Sequence, residues 1–280
     1  MRFGIKTAPQ HTSWEEMLDV WRAADEVELF ETAWNFDHFY PLLGDKDGPC
    51  LEAWVTLSAL AQATFRIRIG CMVNGVPYRH PALVANMAAS LDIVSGGRLE
   101  LGLGAGWNEQ ETKAYGIDLL PMGQRMDRFE EAVEVIDSLL AQEITTFHGK
   151  YFQLEQARCE PKGPQRPRPP IVIGGGGEKR TLRIAARFAQ HWNLPFATPD
   201  VFRKKNEILL AHCEAVGRDS SLIMRSVQIE SAADQDPAEA ADNAAALFAV
   251  GVDQVIFTLR TPYRAEKVAA LARSLETIIQ

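Results

Sequence analysis

Apolar positions in this chain switch repeatedly between two rhythms, a short alternation of period two and a longer one near 3.6, with turn residues at the changes. The short runs predict strands over 3–7, 32–36, 67–73 and 98–103, and helical patterns follow them over 14–29, 50–64, 81–95 and 122–141. The order resumes with strands 171–174, 190–194, 222–230 and 253–259, each followed by a helix, over 178–188, 199–216, 237–249 and 263–279. Local chemistry agrees. Ser13 to Glu16 is a capping box, Thr198-Pro199 and Asp236-Pro237 are cap and first-turn pairs, and Leu83, Val84, Met87, Leu91 and Val94 mark one face of helix 81–95. Alternating strands and helices imply a parallel sheet, and eight repeats are the number that closes a (β/α)8 TIM barrel. In the competing open doubly wound sheet a dinucleotide fingerprint follows the first strand, where this chain reads Thr7-Ala-Pro-Gln-His11.

From 143 to 170 the rhythm breaks into short polar and aromatic pieces ending in a proline-rich run, read as an insertion within one domain spanning 1–280. The length suits a single barrel core. A net charge of −8 with the two signs interspersed gives no basic stripe, so a small-molecule partner is expected and a nucleic acid is not. Cys50, Cys71, Cys159 and Cys213 are scattered without disulfide or zinc spacing, which predicts reduced thiols and a cytoplasmic protein. The N-terminus enters strand-like sequence at once, without a signal segment, and no apolar run approaches the roughly 18 residues of a membrane span, so no membrane partner is expected. A homodimer is. No metal is expected either, because His11, His148, His191 and His212 show no ligand spacing; His80, immediately before a helix, reads as a turn or cap residue.

Two strands run into glycine-rich turns. Leu99, Leu101 and Leu103 alternate with Glu100 and Gly102 before Gly104-Ala105-Gly106-Trp107, and Ile171-Val-Ile is followed by Gly174, Gly175, Gly176 and Gly177 at a helix start. Glycines there let backbone amides approach an anion, and the positive end of the helix suits a phosphate. Packing of helix on strand explains one or two such glycines, but hardly a run of four. Asp37-His38 closes the second strand, where barrel enzymes gather catalytic groups, and an imidazole there can exchange a proton with a substrate. The alternative is a structural histidine held by Asp37 or by backbone.

Four segments, Asn35-Phe-Asp-His-Phe-Tyr-Pro41, Pro77-Tyr-Arg-His-Pro81, Ser95 through Asn108 and Pro170 through Arg180, resemble the bacterial luciferase-like superfamily, and the likeness spans essentially the whole chain. It is strongest toward the deazaflavin-dependent oxidoreductases. The resemblance implies a barrel that binds coenzyme F420 or FMN at its C-terminal mouth and moves a hydride between F420 and an unidentified small organic substrate. The alternative it allows is an FMN-dependent monooxygenase using O2 and reduced flavin from a partner reductase; a barrel without turnover is a third reading. The resemblance further implies that His38, with Asp37, is catalytic, and that Cys71, Met72 and Asn74 form a bulge under the ring with a non-prolyl cis bond at Cys71–Met72. Gly104, Ala105, Gly106 and Trp107 form the other wall, and Gly174, Gly175, Gly176 and Gly177 hold the phosphate. Some sugar-phosphate dehydrogenases of the family carry an acidic glutamate where this chain has Trp107, which argues against a sugar phosphate and leaves Glu109 and His38 as the nearest proton donors. Lys162, Arg166, Arg168, Lys179 and Arg180 are candidates for the anionic tail of F420, and the 38–50 loop and the 143–170 insertion are where substrate selectivity is expected.

Overall fold

The computed structural model describes residues 1–231 and 236–279. In chain order the strands are β1 (Arg2–Thr7), β2 (Phe30–Asn35), β3 (Arg68–Cys71), the two-residue β4 (Asn74–Gly75), β5 (Leu99–Gly104), β6 (Thr145–His148), β7 (Gln153–Ala157), β8 (Ile171–Gly174), β9 (His191–Pro195), β10 (Met224–Ser231) and β11 (Gln254–Leu259). The helices are α1 (Trp14–Glu26), α2 (Ala53–Ala63), α3 (Pro81–Val94), α4 (Glu109–Ala114), α5 (Met122–Ala141), α6 (Thr181–Phe188), α7 (Pro199–Ala215), α8 (Pro237–Phe248) and α9 (Ala265–Glu276). The caps read from sequence are in place: Ser13 and Glu16 form a capping box, and Thr198, Asp236 and His80 accept amide hydrogens at the starts of their helices.

Parallel pairing runs β3-β2-β1-β11-β10-β9-β8-β5, and β5 returns to β3 with Ile69 opposite Leu99 and Gly70 opposite Glu100, which closes an eight-stranded barrel. Alternation along each strand separates two environments. Outward residues such as Phe3, Ile5, Leu99, Leu101, Leu103, Val255 and Phe257 join the helix faces in one apolar layer. Inside, a small cluster of Trp34, Met72, Val172 and Ile256 is ringed by polar residues including Glu100, His191, Asn193, Ser226 and Gln228, all buried.

Two expectations are corrected. The buried face of α3 is Val84, Ala85, Ala88, Leu91 and Asp92, whereas Leu83 and Val94 are exposed: α3 packs on α5 through small alanines, which turns its larger side chains outward. The 143–170 insertion, in which the sequence pattern shows no strand, contains two. Strands β6 and β7 form an antiparallel hairpin outside α5, where Glu131 accepts from the amides of Lys150 and Tyr151 at 2.9 and 2.8 Å. The chain then crosses the N-terminal end of the barrel, where Gln165 Nε2 donates to Asp92 Oδ1 and to the Leu99 carbonyl, both at 2.7 Å. The buried Asp92 carboxylate requires donors there, and the insertion supplies them.

Candidate active site

His38 lies just beyond the C-terminal end of β2, and its Nδ1 donates to Oε2 of Glu111 at 2.8 Å. Glu111 comes from α4, a short helix after β5 that the sequence pattern did not reveal, and Asn108 caps it by accepting from the Glu111 amide at 3.2 Å. The same carboxylate accepts from the Tyr78 hydroxyl at 2.8 Å and from the Phe39 amide. Burial pushes the Glu111 carboxyl up, but the bonds from His38, Phe39 and Tyr78 outweigh it and hold the group below its usual range. An ionised carboxylate on Nδ1 fixes the tautomer and plane of the imidazole, leaving Nε2 with no partner among the described residues. The ring is wedged edge-on between Phe36 and Trp107, at centroid distances of 5.0 and 5.5 Å.

Asp37 does not orient His38. It forms a bidentate pair with Arg79 at 2.7 and 3.1 Å and accepts from the Gly75 amide at 3.1 Å, so it straps the end of β2 to β4 and the turn after it. The nearest sequence candidate for a second acid, Glu109, is exposed, while Glu111 two residues on is fully buried.

The cis bond lies at Met72–Val73, not at Cys71–Met72. The Met72 amide still donates to the Asn35 carbonyl at 2.9 Å, so β3 stays paired with β2 through residue 72 and departs one residue later than expected. The Val73 side chain beyond it explains two glycines. A Cβ on Gly104 would lie 2.5 Å from Val73 Cγ2, and one on Gly174 would lie 2.8 Å from Val73 Cγ1. Cys71 is buried in the outer layer, so it offers the site its backbone. Asn74 Nδ2 donates to the Gly102 carbonyl at 2.7 Å, while its Oδ1 is buried without a partner among the described residues.

The luciferase-like monooxygenase family profile matches residues 1–278. The chain belongs to that family. Among relatives of this luciferase-like enzyme, the F420-dependent glucose-6-phosphate dehydrogenase of Kineococcus radiotolerans is 31% identical over 249 residues, covering 87% of this chain and 71% of the relative. The protein of the same description from Microbacterium testaceum is 32% identical over 191 residues, 68% of this chain and 55% of that one. An F420-dependent secondary alcohol dehydrogenase, solved with an F420-acetone adduct, superposes with a TM-score of 0.88 at 20% identity over 100% of this chain and 99% of its own, which shows the shared fold.

The residues of the enzyme fit a phosphate-bearing ring at two places. Gly175 has φ +118° with its amide tied to the Asn193 carbonyl at 2.9 Å, while the amides of Gly176, Gly177 and Glu178 have no acceptor among the described residues. The orphaned Oδ1 of Asn74 is an acceptor of the kind a ring N–H satisfies. Gly106 has φ +78° and passes over Pro77, which a Cβ would meet at 2.7 Å, and Trp107 beyond it is 62% exposed. A cleft of about 500 Å³ opens beside it, lined by Tyr40, Leu42, Lys46, Trp107, Gln110 and Glu111. Its outer wall is the 38–50 loop, held by Lys46 Nζ on Gln110 Oε1 at 3.0 Å and by the Leu42 amide on Gln10 Oε1 at 2.7 Å.

Most of the cations expected near an anionic tail are engaged elsewhere. Lys162 donates to the Leu139 and Cys159 carbonyls, Arg166 to the Gly163 carbonyl, Arg168 to Asp137 and Gln190, and Arg180 to Asp127 and Glu130. Lys179 is exposed beside the glycine run, with no ion-pair partner among the described residues.

Sequence reasoning missed Glu111 and Tyr78. The signal for the first was Asn108-x-x-Glu111, a cap followed by an acid three residues on. In a capping box that acid turns back to the cap; here it crosses to His38.

Proposed function

We propose that this enzyme transfers a hydride between coenzyme F420 and a small organic substrate at the barrel mouth. The observation that carries the reading is the imidazole of His38, fixed by a buried carboxylate on one nitrogen and unpartnered on the other among the described residues, on the same barrel face as both glycine turns. The two F420-dependent relatives support the choice of cofactor. Gly176, Gly177 and Glu178 would hold the phosphate with their amides; Gly174, Gly175, Met72 and Asn74, with the Cys71 backbone, would line one side of the ring, and Gly104 through Trp107 the other. When bound, the deazaflavin supplies the carbon that accepts or donates the hydride. His38 Nε2 takes the proton from a substrate hydroxyl as the hydride leaves the adjacent carbon, and returns it in the reverse direction. Glu111 steadies the imidazolium that forms, and Trp107 screens it from water. Selectivity is written in the 38–50 loop, which walls the cleft beside His38.

A second reading, an FMN-dependent monooxygenase, draws on the family's description, and the same amide cluster would serve the phosphate of FMN. Absorbance titrations with F420 and with FMN discriminate the two: micromolar binding of F420 with much weaker FMN supports the first reading, and the reverse order supports the second.

The reading includes a homodimer. Val55, Leu83, Ile93 and Val94 are exposed on the neighbouring helices α2 and α3, and a second copy covering them would remove apolar surface from water. No helix among the described residues is long and apolar enough to cross a membrane.

A further inference from the structure

Lys6, the penultimate residue of β1, turns into the barrel, where its Nζ donates to Gln228 Oε1 at 2.8 Å. From there a single file of hydrogen bonds runs through the interior. Gln228 Nε2 donates to Asn193 Oδ1 at 2.5 Å, and Asn193 Nδ2 donates to Ser226 Oγ at 2.8 Å. Ser226 lies 2.6 Å from His191 Nε2, and His191 Nδ1 lies 3.0 Å from Glu100 Oε2. The ends dictate the direction. An ammonium can only donate and an ionised carboxylate can only accept, so the Gln228 carbonyl faces Lys6 and the Nδ1–H of His191 serves Glu100. Burial raises the Glu100 carboxyl, but bonds and charge from His191 and Arg68 prevail and bring it to about 2, so it is ionised.

This file aims the carbonyl of Gln228 at Lys6 but leaves the ammonium incompletely served. Gln228 accepts one of three N–H bonds, no carboxylate pairs with Lys6 among the described residues, and the acid at the far end already pairs with Arg68 at 2.8 Å. The strand neighbours of Lys6 in register are Trp34 and Thr258, both uncharged; the charged group felt from the β11 end is Arg260, which repels it and is itself held on Glu230. Thr258 Oγ1 is also buried without a partner among the described residues. Lys6 is nevertheless only partly buried, and its Nζ reaches into the barrel to Gln228. Burial lowers the ammonium to about 8, which leaves it charged at neutral pH.

We propose that Lys6 is a cofactor-binding residue whose ammonium, with the Thr258 hydroxyl beside it, faces the electron-rich edge of the redox ring and favours its reduced, negatively charged form. A deazaflavin or flavin that gains a hydride gains a negative charge spread over its pyrimidine nitrogen and oxygen, and an uncompensated ammonium is the complement of that charge. The inference rests on the cofactor reading given under Proposed function.

The test is anaerobic titration of the whole protein and of Lys6→Met and Lys6→Arg with oxidised and with reduced F420, together with melting of the unliganded proteins. Lys6→Met is expected to raise the Kd of the reduced form about tenfold or more, the size of one lost charge-assisted bond, and that of the oxidised form by less than a third as much. Lys6→Arg should restore most of the difference. The unliganded Lys6→Met protein should melt within a few degrees of wild type or above it, because an unpaired buried charge has been removed. If wild type binds neither F420 nor FMN, the cofactor reading falls and this inference with it. If wild type binds but Lys6→Met binds both forms unchanged, or loses both equally, Lys6 has no role toward the ring and the cofactor reading stands.

Discussion

The imidazole of His38 and the carboxylate of Glu111 meet at 2.8 Å across 73 positions of sequence, and the carboxylate is fully buried while the ring reaches the surface. A buried acid behind a partly open histidine fixes which nitrogen carries the proton. Glu111→Gln keeps the volume but lets an amide N–H face Nδ1, which reverses the tautomer. The expected result is a fall in kcat of roughly 10²–10⁴ with cofactor Kd changed less than about threefold. Turnover above half of wild type would remove Glu111 from the mechanism.

His38→Ala should lower kcat by a similar factor, roughly 10²–10⁴, again with a small change in cofactor Kd. Because the two residues act as one unit, the double variant should be little slower than either single one. Full additivity of the two losses in log kcat would show that they work independently; near-normal turnover of His38→Ala would make the histidine structural.

Gly175 adopts φ +118°, a region that strains any residue with a Cβ. Gly175→Ala should cost about 1–3 kcal/mol of stability and displace the amides that follow, weakening F420 binding by at least about tenfold. Equal affinity in a folded Gly175→Ala protein would place the phosphate elsewhere.

Two groups inside the barrel make stability rise with pH in two separate windows. Glu100 is brought from its ordinary 4.5 to about 2 in the folded chain, so its contribution is present above pH 4.5 and is lost as pH falls toward 2. Lys6 is lowered from 10.5 to about 8, so the folded state gives up its proton first and stability rises as pH climbs from 8 to 10.5. Urea unfolding across both windows should show Glu100→Gln flattening the acid slope and Lys6→Met flattening the alkaline one. Wild-type slopes in either variant would contradict the assignment.

The alternation of Leu99, Leu101 and Leu103 with Glu100, Gly102 and Gly104 already separated the outer wall of the barrel from its interior, and the caps at Ser13, Thr198 and Asp236 marked helix starts correctly. Such features are local: a period of two assigns faces, a capping side chain reaches three residues, and eight repeats of strand and helix have few ways to close. His38 and the glycine turns were legible for the same reason, since each ends a strand and strand ends gather at one face. The partners of these residues were not. Glu111 finds His38 only because α4 lies against the end of β2, and Gly104 and Gly174 are glycines because Val73 reaches across to both. The file from Lys6 to Glu100 joins β1, β10, β9 and β5, four strands whose inward side chains meet only across the closed barrel. Sequence spacing therefore determined which side of each element every residue occupies, whereas the stagger of a closed barrel, a property of the whole ring of strands, decided which of those residues touch.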